Sequence, residues 1–143
     1  MIYYLIASIL IAVTALFART RRAVLAAGIL FYAVQIAAAG LLLWGGLYDT
    51  TSAAFFTFDA LGTLFYLLLV VVSMYVFGHS EAYLQGEDLR SYRLYFALLM
   101  LLTTAIAGAY FANNLAVTWI FLEATTLCSA GIVYHRRTAQ ALE

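Results

Sequence analysis

The chain contains no proline and no lysine, and it has a single cysteine, Cys128. Without proline no helix is marked for a kink, although glycine can still permit a bend. One cysteine admits no intrachain disulfide and no thiol cluster for a metal. With lysine absent, seven arginines carry the fixed positive charge, and they balance seven acids to a net charge of zero. No basic run points to nucleic acid. Charged residues make up only 10% of the 143 residues, hydrophobic ones 66%, and the mean hydropathy is +0.99. A soluble domain is roughly half apolar and about a quarter charged, so this composition belongs to the membrane class. The chain has no Gly-rich phosphate loop, nucleophile elbow or paired carboxylates, and its two histidines lie far apart. Neither a catalytic site nor a metal site is indicated. The first apolar segment opens MIYY with no positive charge before it, so no cleavable signal peptide is expected.

What the chain does have is five apolar segments, near Ile2–Phe17, Ala23–Leu47, Asp59–Gly78, Leu94–Phe111 and Leu115–Tyr134. A helix needs around 20 such residues to cross a hydrocarbon core about 30 Å thick. The expected fold is all-α, a single membrane unit over residues 1–143 built as a bundle of about five transmembrane helices. Arg19, Arg21 and Arg22 follow the first segment, Arg90 and Arg93 precede the fourth, and Arg136 and Arg137 follow the fifth. Alternating spans put all seven on one side, which the positive-inside rule makes cytoplasmic. The N-terminus is then outside and the C-terminus cytoplasmic, in a multi-pass membrane protein. Tyr3, Tyr4, Trp44, Tyr48 and Tyr110 fall near the outer boundary; Tyr75, Tyr92, Tyr95 and Tyr134 fall near the inner one. Rings with a polar edge prefer headgroup depth, so these read as an anchoring belt. Only the inner loop HSEAYLQGEDLRSY is long enough to fold on itself or touch a neighbouring subunit, and its mixed charges equally suit local pairing in water.

Glu123 is the residue hardest to explain by hydropathy. It lies eight residues into 115-LAVTWIFLEATTLCSAGIVY-134, about 12 Å from the outer end at 1.5 Å per residue. An acid at that depth costs a few kcal/mol or more, and burial favours its protonated form. Thr126 is one turn on, and Thr118, Thr125 and Ser129 extend a hydroxyl seam able to hold water. A neutral acid used as interhelical glue is the plain alternative to a proton-binding site, but Ser, Thr or Asn would make such glue at lower cost. No other ionisable group falls mid-membrane, so any counter-charge must come from outside these 143 residues. Asp59, after the aromatics FFTF, suits a helix N-cap or the mouth of an ion path. His79 at the inner boundary could pass protons, although lone interfacial histidines usually do nothing so specific. His135, followed by two arginines, reads as a stop signal. Gly28, Gly40, Gly45 and Gly46 offer surfaces for close helix packing.

From about residue 55 onward, four short motifs occur in order: FDALG, HSEAYL, ANNL and IFLEATTLCS. In that order they resemble the antiporter-like membrane subunits shared by respiratory complex I, group 4 membrane-bound hydrogenases and multisubunit cation/proton antiporters. FDALG resembles the family's entry to its third span, HSEAYL its S-x-x-Y-[ML] loop, and ANNL its A-D-N, with Asn113 where Asp is common. IFLEATTLCS resembles the W-E core of span five, with Leu122 where Trp often stands. LEATTLCS with HRRTAQALE looks closer to the hydrogenase-type complexes. The resemblance implies that Glu123 is the family's proton-binding glutamate, which pairs with a lysine on a broken seventh span. This chain has neither lysine nor those later spans, which fits a fragment, a split subunit or a remnant. The resemblance implies no cofactor in this chain, with flavin, iron–sulfur or nickel–iron centres in partner subunits. The implied partners are other membrane-arm subunits, the remaining half of an antiporter-like subunit, and the bilayer. The competing expectation is a structural or assembly subunit without an ion path of its own.

Overall fold

The computed structural model describes residues 1–45, 55–84 and 86–134. They form five helices: α1 (Ile2–Phe17), α2 (Arg21–Leu43), α3 (Ala60–Tyr83), α4 (Leu89–Phe111) and α5 (Leu115–Tyr134). The last four are long and apolar enough to cross a membrane; α1, at 16 residues, is a shorter apolar helix. Tyr48, Gly46, His135, Arg136 and Arg137 lie outside the described residues. The third arginine group of the topology argument therefore has no structural counterpart here.

Short polar side chains and backbone breaks set the helix ends. Thr20 caps α2 by accepting from the Ala23 amide at 3.2 Å, and Asp88 caps α4 by accepting from the Arg90 amide at 3.3 Å. Asn114 accepts from the Ala116 amide at 2.8 Å as α5 begins. Gly45, with φ 72°, closes α2 in the left-handed region that glycine enters without penalty. Gly45 thus terminates the helix. Among the described residues Gly40 meets nothing within 4 Å, so it makes no close approach there. Gly28 does: a Cβ there would fall 2.1 Å from the Phe77 ring of α3.

α3 and α4 run further than the apolar segments do. The polar stretch expected as a loop is mostly helix, with His79–Tyr83 completing α3 and Leu89–Arg93 opening α4. Hydropathy marks where lipid contact ends, whereas a helix continues as long as its backbone bonds and side-chain propensities allow. The remaining connector is held inward. Leu84 is fully buried, and the Arg21 guanidinium donates to the carbonyl oxygens of Leu84 (3.4 Å) and Glu87. That guanidinium also lies 5.0 Å from the centre of the Tyr92 ring. Tyr92, itself buried, donates to the Glu81 carboxylate at 2.6 Å, and the Ser80 and Tyr95 hydroxyls meet at 2.9 Å. Tyr92 and Tyr95 are therefore internal ties and not members of an anchoring belt. Exposed Tyr3, Trp44 and Tyr75 remain suited to one.

α4 is the central helix and packs on each of the other four. At the arginine end its Tyr92, Phe96 and Met100 meet Ala12 and Ala15 of α1 and Phe31 and Tyr32 of α2. At the far end its Ala107 and Phe111 meet Tyr66 and Val70 of α3 and Ala39 and Leu42 of α2. The far end is also closed by backbone pairing. Thr57 donates to the Phe111 carbonyl and Asn113 to the Phe55 carbonyl, both at 2.8 Å, as Phe56 bridges Ala112.

Candidate functional site

α5 leans on α4 through small residues. A Cβ at Gly108 would lie 2.3 Å from the Phe121 ring, and one at Gly131 would lie 2.8 Å from the Leu98 side chain. Phe121 also reaches Phe56, ring centres 6.1 Å apart. The half-buried residues of α5, including Val117, Thr118, Phe121, Thr125 and Cys128, mark the face turned to α4. Glu123 is two residues beyond Phe121, about 200° around the helix at roughly 100° per residue. It is exposed, on the side of α5 opposite α4. Among the described residues no hydrogen bond or ion pair reaches it.

The hydroxyl seam divides between the two sides. Thr126 shares the Glu123 side, whereas Thr118 and Thr125 turn toward α4. All four hydroxyls donate to backbone carbonyl oxygens three or four residues back: Thr118 to Asn114 (3.1 Å), Thr125 to Leu122 (2.7 Å), Thr126 to Leu122 (3.1 Å), Ser129 to Thr126 (2.9 Å). Such back-bonding occupies each hydroxyl's proton and leaves only its lone pairs for a further partner.

Asp59 acts as the N-cap of α3, accepting from the Gly62 amide at 3.0 Å, while the Thr63 hydroxyl donates to its carbonyl at 2.8 Å. His79 is exposed near the other end of α3, stacked parallel on Tyr75 with ring centres 6.2 Å apart. Twenty residues of helix, about 30 Å, separate the two. Glu123, Asp59 and His79 are thus three separate positions. Among the described residues no group of three or more His, Cys, Asp or Glu could hold a metal.

Sequence reasoning passes over one polar cluster because it contains no charge. Gln35, midway along α2, is fully buried. Its Oε1 accepts from Tyr4 of α1 at 2.6 Å and from Tyr66 of α3 at 2.8 Å, which ties three helices through one amide. Among the described residues the amide Nε2 and the buried Ser8 hydroxyl, one turn from Tyr4, have no hydrogen-bond partner. A cavity of about 20 Å³ one turn further along α2 is lined by Tyr4, Ala38, Tyr66 and Phe111, with space for about one water. Both phenols donate to the same oxygen, so the cluster locks α1, α2 and α3 together at one point. The signal in the sequence is the lone amide in the run AVQIAAAG.

A comparison with protein-family models, curated proteins and solved structures finds no match for the chain.

Proposed function

We propose that the chain is a multi-pass prokaryotic inner-membrane subunit, or part of one, in a redox-driven proton- or sodium-translocating complex of the NADH dehydrogenase or hydrogenase type. Glu123 is its intramembrane proton-binding residue. The observation that carries this reading is the placement of that acid. Glu123 sits mid-helix in an apolar segment, opposite the helix that packs α5, with no partner among the described residues. An acid so placed in a bilayer requires a polar or charged neighbour from another chain or another segment. A positive group approaching Glu123 lowers its proton affinity and one withdrawing raises it, which is the coupling step of an electrostatic pump. The motif order from FDALG to IFLEATTLCS supports the same assignment. Electron transfer belongs to partner subunits with flavin, iron–sulfur or nickel–iron centres. The N-terminus lies outside, and the arginine end of the bundle is cytoplasmic.

The test is Glu123→Gln in the assembled complex, with ion translocation followed in sealed vesicles. The expected result is normal assembly with translocation falling toward background. The structural-subunit reading expects translocation per assembled complex to be unchanged, with assembly impaired at most. The gene neighbourhood supplies an independent check, since an adjacent reading frame should begin with a further span and carry an intramembrane lysine.

A further inference from the structure

α1 and α4 lie antiparallel, with Met1 and Tyr4 near Phe111 at one end and Leu16 near Leu94 at the other. α1 has 16 residues and α4 has 23, so α4 overhangs by about 10 Å at 1.5 Å per residue. The shared cavity at the far end aligns the start of α1 with the end of α4, so the overhang falls at the arginine end. There the first turns of α4 form a ledge over the end of α1. Beneath it a cleft of about 230 Å³ is lined by Leu16, Arg90, Arg93 and Leu94. Two of the lining residues are arginines and two are leucines.

The two arginines differ in how they are held. Arg93 is pinned by Nη1, which donates to the Ala18 carbonyl at 3.1 Å just past the end of α1. Its Nε is buried and has no acceptor among the described residues. Arg90 is exposed and extends from the same face, one turn earlier. Two acids, Glu87 and Asp88, precede α4, and Asp88 caps it on the Arg90 amide. The first turn of α4 adds its N-terminal dipole to the positive side. Exposed Arg19 and Arg22 flank the turn between α1 and α2.

We propose that this cleft binds the phosphate of an anionic phospholipid. Arg93 is the fixed donor and Arg90 the mobile one, and the acyl chain runs along Leu16 and Leu94. A guanidinium already oriented by a backbone carbonyl loses little freedom when it binds a phosphate oxygen. Basic pockets between helices at a membrane surface select anionic head groups for this reason. A free phosphate ion would satisfy the arginines but leave the leucine walls without a partner. The proposal rests on four helices long and apolar enough to span a membrane, and it is independent of any ion path through Glu123.

Native mass spectrometry of the full chain, released from detergent with increasing phosphatidylglycerol or phosphatidylcholine, tests it. Phosphatidylglycerol should bind roughly tenfold more tightly than phosphatidylcholine. Arg90→Gln should cut that preference several-fold, and Arg90→Gln with Arg93→Gln should abolish it. Arg22→Gln, outside the cleft, should leave it unchanged. Arg90 is exposed, so its single variant reports on binding even where the double variant folds poorly. Equal binding of the two lipids would overturn the proposal. So would an Arg22→Gln loss as large as that of Arg90→Gln, because it would mean diffuse attraction. Displacement of the lipid by millimolar inorganic phosphate alone would reassign the cleft to a free anion.

Discussion

α4 and α5 are both long and apolar enough to span a membrane, yet they occupy opposite situations. Of the most apolar stretch of α4, 56% is buried inside the bundle; of the corresponding stretch of α5, 0% is. Composition alone does not separate them, since a helix packed on protein and a helix facing lipid can be equally hydrophobic. What separates them is the distribution of small and aromatic residues. α4 combines Ala97, Ala105, Ala107 and Gly108 with Tyr92, Phe96 and Phe111, which let neighbours approach closely and then fill the gaps. α5 sets Ala124 and Gly131 on the side turned to α4 and presents Trp119, Ile120, Leu122, Leu127 and Val133 outward, with Glu123 among them. The central helix is built to hold this chain together, and the outer one has a side that none of the described residues covers.

That contrast can be broken most severely at Phe96, which is fully buried with ring centres 4.9 Å from Phe77 and 4.7 Å from Tyr92. Phe96→Ala should cost roughly 3 kcal/mol or more, read as a lowered unfolding midpoint in mixed micelles. An unfolding midpoint equal to wild type would mean that α4 is not the centre of the bundle. A smaller effect is expected at the contact between the two helices. Gly108→Ala forces the Phe121 ring aside, at roughly 1–3 kcal/mol. Because half-buried Cys128 lies on the α4-facing side of α5, the same variant should alkylate there faster than wild type. Unchanged alkylation would show that α5 absorbs the methyl without moving. The smallest effect belongs to the bare side. Leu127→Ala, at a side chain 71% exposed, should shift the stability of the isolated chain by no more than about 0.5 kcal/mol. If instead it destabilises the isolated chain as much as Gly108→Ala does, the bare side of α5 is covered within this chain.

Hydropathy was a good guide to α1 and α5, whose ends at Phe17, Leu115 and Tyr134 coincide with the ends of apolar runs. It was a poor guide where a helix leaves the apolar layer. His79–Tyr83 and Leu89–Arg93 are polar, yet each continues a helix, because backbone bonding does not end where apolar residues do. It also misassigned tyrosines. Tyr4, Tyr92 and Tyr95 have the composition of boundary anchors, but their hydroxyls are bonded to Gln35, Glu81 and Ser80 inside the bundle. A phenol at a span end can face lipid or protein, and only the rotation of the helix decides which. The isolation of Glu123 was legible because charge is rare in such a chain. The Gln35 cluster was not, because an amide partnered by two phenols leaves no mark on a charge count. The orientation of Glu123 away from α4 depends on where Gly108 and Gly131 let α5 settle, which no single position announces.

The backbone pairing of residues 55–57 with 111–113 has a consequence for how the molecule can be divided. Those hydrogen bonds turn the intervening chain, with α3 and α4 inside it, into a closed ring whose two ends meet. The register between the two helices is then carried by the ring itself and does not depend on covalent continuity with α2. A gene cut just upstream of Phe55 would yield two polypeptides, the second of which keeps its own closure and still offers α1 and α2 their seats on α4.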